Sequence, residues 1–291
     1  MSTLPRDFHF SQASLQDYVD CRRRFHLRYL VGLAWPALEA EPGLENERRL
    51  QLGAAFHRLM QQHLLGLPAE RLSRAVAAGG PDNGELPRWW DNFQEHGTSL
   101  EGYGEIANLS IYPETSLTAP LGNGYRLVAK YDLIAIAPDG RAAIFDWKTY
   151  RKRPSRMWME ERLQTRVYPF LLALAGEHLN QGNSIRPDDV AMIYWYPEFP
   201  TEPERFAYSQ AQFEKDGEAL NALVREIAGL AEEDFSLTSF TERCRFCTYR
   251  SLCDRGAKAG GVDEFEAGVE EVEAAGAGYR IDFEQIAEIE F

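Results

Sequence analysis

Three strand-like runs, at roughly 104–118, 125–136 and 141–148, follow one another with only "APLGNG" and "APDG" between them. Gly, Pro, Asn and Asp at such positions favour tight reversals, so the three runs predict neighbouring strands joined by turns. Helical patterns precede them. In "FSQASLQDYVDCRRRFHLRYLVGL" Leu15, Tyr18, Phe25 and Leu30 recur at helical spacing, with Ser11 or Ser14 as the cap. In "RRLQLGAAFHRLMQQHLLG" Leu52, Phe56, Leu59 and Leu64 share a side and Gly66 stops the helix. "AEPGLENE" reads as a linker, residues 79–87 as a loop, and Trp89 and Phe93 as a short helical piece. After the strands come a helix over about 158–179, the apolar strand "VAMIYWYP", the shorter strand "RFAYS" and the helix "QAQFEKDGEALNALVREIAGLAEE". This order predicts a mixed α/β core.

Charge is unevenly distributed. The formal net charge is -14, and residues 262–291 hold ten Asp and Glu against one Arg, which is -9 of it. Two dense basic stretches, "CRRRFHLR" at 21–28 and "RKRPSR" at 151–156, stand in the remainder, so the acidic total does not exclude a phosphate-bearing partner. No run of 18 apolar residues spans a bilayer, so no membrane partner is expected, and "MSTLPRDFHFSQAS" lacks the layout of a signal peptide. A cytoplasmic location follows as the expectation, and there four cysteines suit metal ligation or free thiols better than disulfides.

The stretch "AIFDWKTYRKR" sets Asp146 and Lys148 on one face of a strand, with Trp147 on the other. An acid-x-lysine pair alone is an ordinary surface pair. In the preceding run, "RLVAKYDLIAIA", Asp132 sits among apolar residues, where a carboxylate is costly unless paired, protonated or metal-bound. The "APDG" turn brings Asp132 near Asp146. Two converging carboxylates suit a hard divalent cation such as magnesium, and the lysine is placed to orient a water and stabilise charge on a phosphate oxygen. Such a set is suited to metal-assisted phosphodiester hydrolysis.

Near the C-terminus "CRFCTYRSLC" supplies Cys244, Cys247 and Cys253, and Cys21 is the fourth cysteine. If the two regions meet, four thiolates can hold either zinc or an iron-sulfur cluster.

The chain resembles the PD-(D/E)xK nuclease superfamily, in particular the RecB-like and CRISPR-associated exonuclease branch. The resemblance lies in motifs that occur in family order over roughly residues 50–170: "GAAFH", Asp132, "DWK" and "QTRVY". It implies a restriction-endonuclease-like mixed sheet flanked by helices and a magnesium- or manganese-dependent DNA nuclease. It further implies His57, Asp132, Asp146 and the Trp147 carbonyl as metal ligands, Lys148 as the residue positioning the water, and Gln164 and Tyr168 as its organisers. Gln164 and Tyr168 lie i to i+4, on one helical face. Glu114, in "IYPET", stands near the family's extra strand acid. For Cys21, Cys244, Cys247 and Cys253 the resemblance favours a 4Fe-4S cluster over zinc, stapling the two ends together.

The domain organisation expected on this basis is one nuclease domain over 1–261, with its core at about 48–210 and a cluster lobe from about 11–35 and 236–256, followed by an acidic tail over 262–291. The basic runs are expected to line a channel for DNA with a single-stranded end, with Tyr150 or Trp158 for base stacking. The tail is a solvated extension or an occupant of that channel. No "GxxxxGK[ST]" stretch occurs, so unwinding falls to a helicase or another repair or CRISPR protein as partner. The competing readings are a non-catalytic DNA-binding module of the same fold and a zinc-binding scaffold.

Overall fold

The computed structural model describes residues 4–33, 43–78, 84–97, 99–100 and 103–256. The expected tail over 262–291, and the part of the expected linker before Gly43, lie outside these residues.

The amino-terminal segment opens with a short strand, β1 (His9–Ser11), which the apolar periodicity did not announce. Helix α1 (Gln12–Asp20) follows at once, with Ser11 and Ser14 exchanging a reciprocal capping box, so both expected caps act together. The long helix expected here is broken. Cys21 is extended (φ -163°, ψ 111°) and separates α1 from α2 (Arg22–Phe25), after which His26–Leu30 forms a π-helical turn. Helix α3 (Gly43–Leu64) begins inside the stretch read as linker and ends, as expected, before Gly66, whose φ of +96° suits a residue without Cβ. Helix α4 (Ala69–Ala78) was not anticipated, and α5 (Glu85–His96) carries Trp89, Trp90 and Phe93 into the core.

Strands β2 (Ser99–Leu100) and β3 (Gly104–Glu105) form a separate small ribbon. The main sheet is built on β4 (Ser110–Pro120) and β5 (Arg126–Ile136), antiparallel over their whole length, and β6 (Ala142–Trp147), antiparallel to the distal half of β5. The turn into β6 closes by Ala137 N–H to Arg141 O (2.9 Å) with Gly140 at φ +87°. Helices α6 (Arg156–Glu161) and α7 (Leu163–Ala175) then carry the chain over to β7 (Val190–Trp195), parallel to β6. The single helix expected over 158–179 is therefore two, divided where Arg162 turns extended (ψ 138°). Strand β8 (Glu204–Ala207) pairs antiparallel with β7, and α8 (Gln210–Gly229), capped by Ser209, closes the fold.

Strands β6 and β7 are buried along their whole length, as a parallel pair covered on both faces must be. Ile134 and Ile144 pack with residues of α1, α7 and α8; Leu133, Ala143 and Phe145 pack with residues of α3, α4 and α5. The result is a mixed sheet flanked by helices. β5 is shared along its inner edge, with Arg126–Val128 against β1 in parallel and Leu133–Ile136 against β6. Between those two partners lies Asp132.

Candidate active site

The pairing of β5 with β6 runs from Ile136–Ala142 to Leu133–Phe145 and stops there. One step further the same register sets Asp132 opposite Asp146, at the point where the strands part and β6 continues only with β7. A second interruption lies on the other side of β5. The β4–β5 ladder skips the pair Glu114–Asp132 while its register continues unchanged on either side, and Glu114 has φ +52°. A left-handed conformation at a residue with Cβ costs on the order of 1–3 kcal/mol. Both strands change phase at this position: Leu127, Ala129 and Tyr131 face the same core as Ile134 and Ile136, and Leu117 and Ala119 face the same core as Tyr112. The slip brings two acids on neighbouring strands to one spot.

His57, from α3, completes the cluster. Ligand atoms of His57, Glu114 and Asp132 all lie within 4.8 Å of one another. His57 Nδ1 is 3.3 Å from Asp132 Oδ1, and its Nε2 is 2.9 Å from the Trp147 carbonyl oxygen. The Trp147 amide donates to Asp132 Oδ2 at 2.9 Å. Burial opposes ionisation of Asp132, yet the His57 ring and the Trp147 amide outweigh it and hold this carboxyl below its ordinary range. Burial, and then the charge of Asp132, push the Glu114 carboxyl up, against the contact with Lys130. One carboxylate charged, one with raised proton affinity and an imidazole form an oxygen-rich donor set for a divalent cation.

Asp146 belongs to an adjoining group. It and Lys148 are each only 4% exposed, so this is no surface pair. The Lys148 ammonium meets Asp146 Oδ1 as an ion pair and donates to Gln164 Oε1 at 3.1 Å, while Gln164 Nε2 donates to Asp146 Oδ2. Burial, reinforced by the charge of Asp132 and opposed by Lys148, raises the Asp146 carboxyl to about 6. Tyr168 lies one turn beyond Gln164 with its hydroxyl bonded to that side chain, and its carbonyl accepts from the Tyr131 hydroxyl at 3.0 Å. Trp147 points away into the opposite core. The described residues thus divide the sequence-predicted set in two: His57, Glu114 and Asp132 in one group, Asp146, Lys148, Gln164 and Tyr168 in the other, with the Trp147 backbone joining them.

The sequence profile of the PD-(D/E)XK nuclease superfamily matches residues 9–254. The chain belongs to that superfamily. Its mixed sheet flanked by helices is the restriction-endonuclease-like arrangement of PD-(D/E)XK proteins. Among solved structures it is similar to the protein SSO0001, with 13% identity and a TM-score of 0.41 over 86% of this chain and 87% of that one. It is also similar to a protein from Eubacterium rectale named as a candidate exonuclease, with 12% identity and a TM-score of 0.45 over 75% and 79% of the two chains. A comparison with curated proteins finds no match.

In this PD-(D/E)XK chain all four cysteines line one pocket, although Cys21 lies between α1 and α2 and the others follow α8. The two regions interlock around them. Arg23 N–H donates to Ser236 O (3.1 Å), His26 stacks on Phe235 (5.0 Å), and the Tyr249 hydroxyl donates to Leu33 O (3.1 Å). Burial raises the thiols of Cys244, Cys247 and Cys253, and the nearby Cys21 adds to the effect at each.

The basic runs expected to line a DNA channel have carboxylate neighbours within the chain. Arg22 pairs with Glu226, Arg24 with Asp17 and Asp20, Arg151 with Glu85, and Arg153 with Glu202 and Glu204. Both basic runs therefore meet carboxylates supplied by the fold itself, and a phosphate must compete with them. Tyr150 is buried against Tyr196 and offers no stacking face, whereas Trp158 is partly exposed beneath the Arg162 guanidinium (4.9 Å).

Proposed function

We propose that this chain is a magnesium- or manganese-dependent deoxyribonuclease that removes nucleotides from DNA with a single-stranded end. The observation that carries the proposal is the juxtaposition, where β5 and β6 part, of the His57–Glu114–Asp132 donor set with the Asp146–Lys148–Gln164 group. A divalent cation held there supplies Lewis acidity and an acidified water. His57, Glu114, Asp132 and the Trp147 carbonyl provide its donors, and Asp146 stands next to Asp132 in register to add another. Lys148 orients the attacking water and stabilises charge developing on the phosphate. Gln164, steadied by Tyr168, fixes the lysine by accepting a hydrogen bond from its ammonium. The proposed setting is DNA repair, recombination or CRISPR-related processing, beside a helicase partner. Incubation with DNA labelled at either end, single- or double-stranded, tests this reading. A metal-dependent ladder from one end supports it; intact DNA with both cations opposes it.

Proton linkage offers a test without DNA. In the metal-free protein the raised Asp146 carboxyl contributes stability that is fully present below its unfolded range and is lost as pH rises through about 6. Cation binding favours the ionised form and offsets that loss. The manganese-induced rise in melting temperature is therefore expected to be larger at about pH 7.5 than at about pH 5. An equal rise at both would place Asp146 outside the cation's reach.

The cysteine pocket is proposed to hold a 4Fe-4S cluster. The convergence of all four cysteines on one pocket, and the resemblance to the iron-sulfur branch of the family, support this reading. Protein purified without oxygen is expected to be brown with about four irons per chain, and Cys21→Ala to lower both iron content and melting temperature. Stoichiometric zinc without iron would overturn the assignment.

A further inference from the structure

Helix α7 carries Gln164 in its first turn, yet its N-cap residue, Arg162, makes no side-chain capping bond. The first amides of a helix have no partner within it, and that of Leu163 belongs to a buried residue. Its partner comes from 147 residues away: Gln16, on α1, accepts from Leu163 N–H at 3.0 Å. Gln16 is itself only 5% exposed, and the other end of its amide donates to Asp20 Oδ1 at 3.2 Å. Asp20 Oδ1 in turn lies 3.1 Å from the Arg243 guanidinium. Arg243 directly precedes Cys244.

These contacts form one continuous path. It runs from the cysteine pocket through Arg243, Asp20 and Gln16 to the first turn of α7, where the next residue, Gln164, uses both ends of its amide on Asp146 and Lys148. An amide committed at both ends cannot adjust to a shift of its own backbone without releasing one partner. We propose that Gln16 is a positioning residue for the Asp146–Lys148 pair, and that Asp20 and Arg243 make this positioning depend on the state of the cysteine pocket. The proposal rests on the nuclease reading for its effect on rate, but not for its effect on α7.

Gln16→Met removes both polar ends while keeping a similar volume. In the full chain with its metals it is expected to lower the single-turnover cleavage rate by roughly 10- to 10²-fold, with DNA affinity within about twofold of the parent. Arg243→Ala is expected to slow the parent too, but to add less in the Gln16→Met background, where Asp20 keeps only its 3.7 Å contact with Arg162 as a link to α7. Amide hydrogen exchange gives the independent readout: Leu163 and Gln164 should exchange faster in both variants. If the parent protein cleaves no DNA but exchange rises as stated, the relay stands and the nuclease reading falls. Unchanged exchange at Leu163 and Gln164, rate effects that simply multiply, or a fall in DNA affinity matching the fall in rate would overturn the relay.

Discussion

Replacing Lys148 with Ala is expected to reduce DNA cleavage by about 10³-fold while leaving DNA affinity within a few-fold, the loss found when a group acts mainly on charge that develops in the transition state. The ammonium is held by Asp146 and Gln164 on the side of the sheet that α7 covers, beside the Asp132 cluster. Asp146→Asn should produce a loss of similar order, because an amide can neither balance the lysine nor donate a carboxylate to a cation. Asparagine keeps the shape of the side chain but leaves the buried Lys148 ammonium without its counter-charge, so a lower melting temperature should accompany the lost cleavage. Wild-type rates in either variant would remove the roles assigned to this pair.

The largest effect on stability is expected far from that pair. Asp17 is fully buried, with Arg24 Nε 2.6 Å from one carboxylate oxygen and Arg28 Nη1 2.7 Å from the other. Asp17→Ala leaves two guanidiniums facing an apolar gap, and breaking a buried pair from one side costs about 3–5 kcal/mol. For a chain of this size that corresponds to a fall of roughly 5–8 °C in melting temperature, readable by thermal denaturation. A fall of only a degree or two would show that water reaches the arginines.

The same residues explain what the sequence could and could not disclose. Asp132 was legible because a carboxylate inside an apolar run has few structural explanations, and the turn "APDG" announced its neighbour strand. The part played by Glu114 was less so. The resemblance placed it near an extra strand acid, but its approach to Asp132 depends on a left-handed residue within a strand, whose trace in the sequence is a slip in alternation, from Leu127, Ala129 and Tyr131 to Ile134 and Ile136. Helix α4 had a readable pair, Leu72 and Val76 at i and i+4, whereas β1 is only three residues long and carries no periodicity to read. The acids that meet Arg22 and Arg151, Glu226 and Glu85, were not readable because they stand far off in sequence, whereas Asp20 lies one helical turn from Arg24. Gln16 was invisible for the same reason, since nothing local marks a side chain that caps a helix 147 residues later.

The proposed activity is cleavage of DNA with a divalent cation held where β5 and β6 part. Its most direct test is to incubate purified protein with end-labelled single-stranded DNA, with manganese or with chelator, alongside Asp132→Asn. The predicted result is degradation by the parent with manganese, none with chelator, and none by Asp132→Asn. Degradation that survives chelation, or that Asp132→Asn performs as well as the parent, would contradict it.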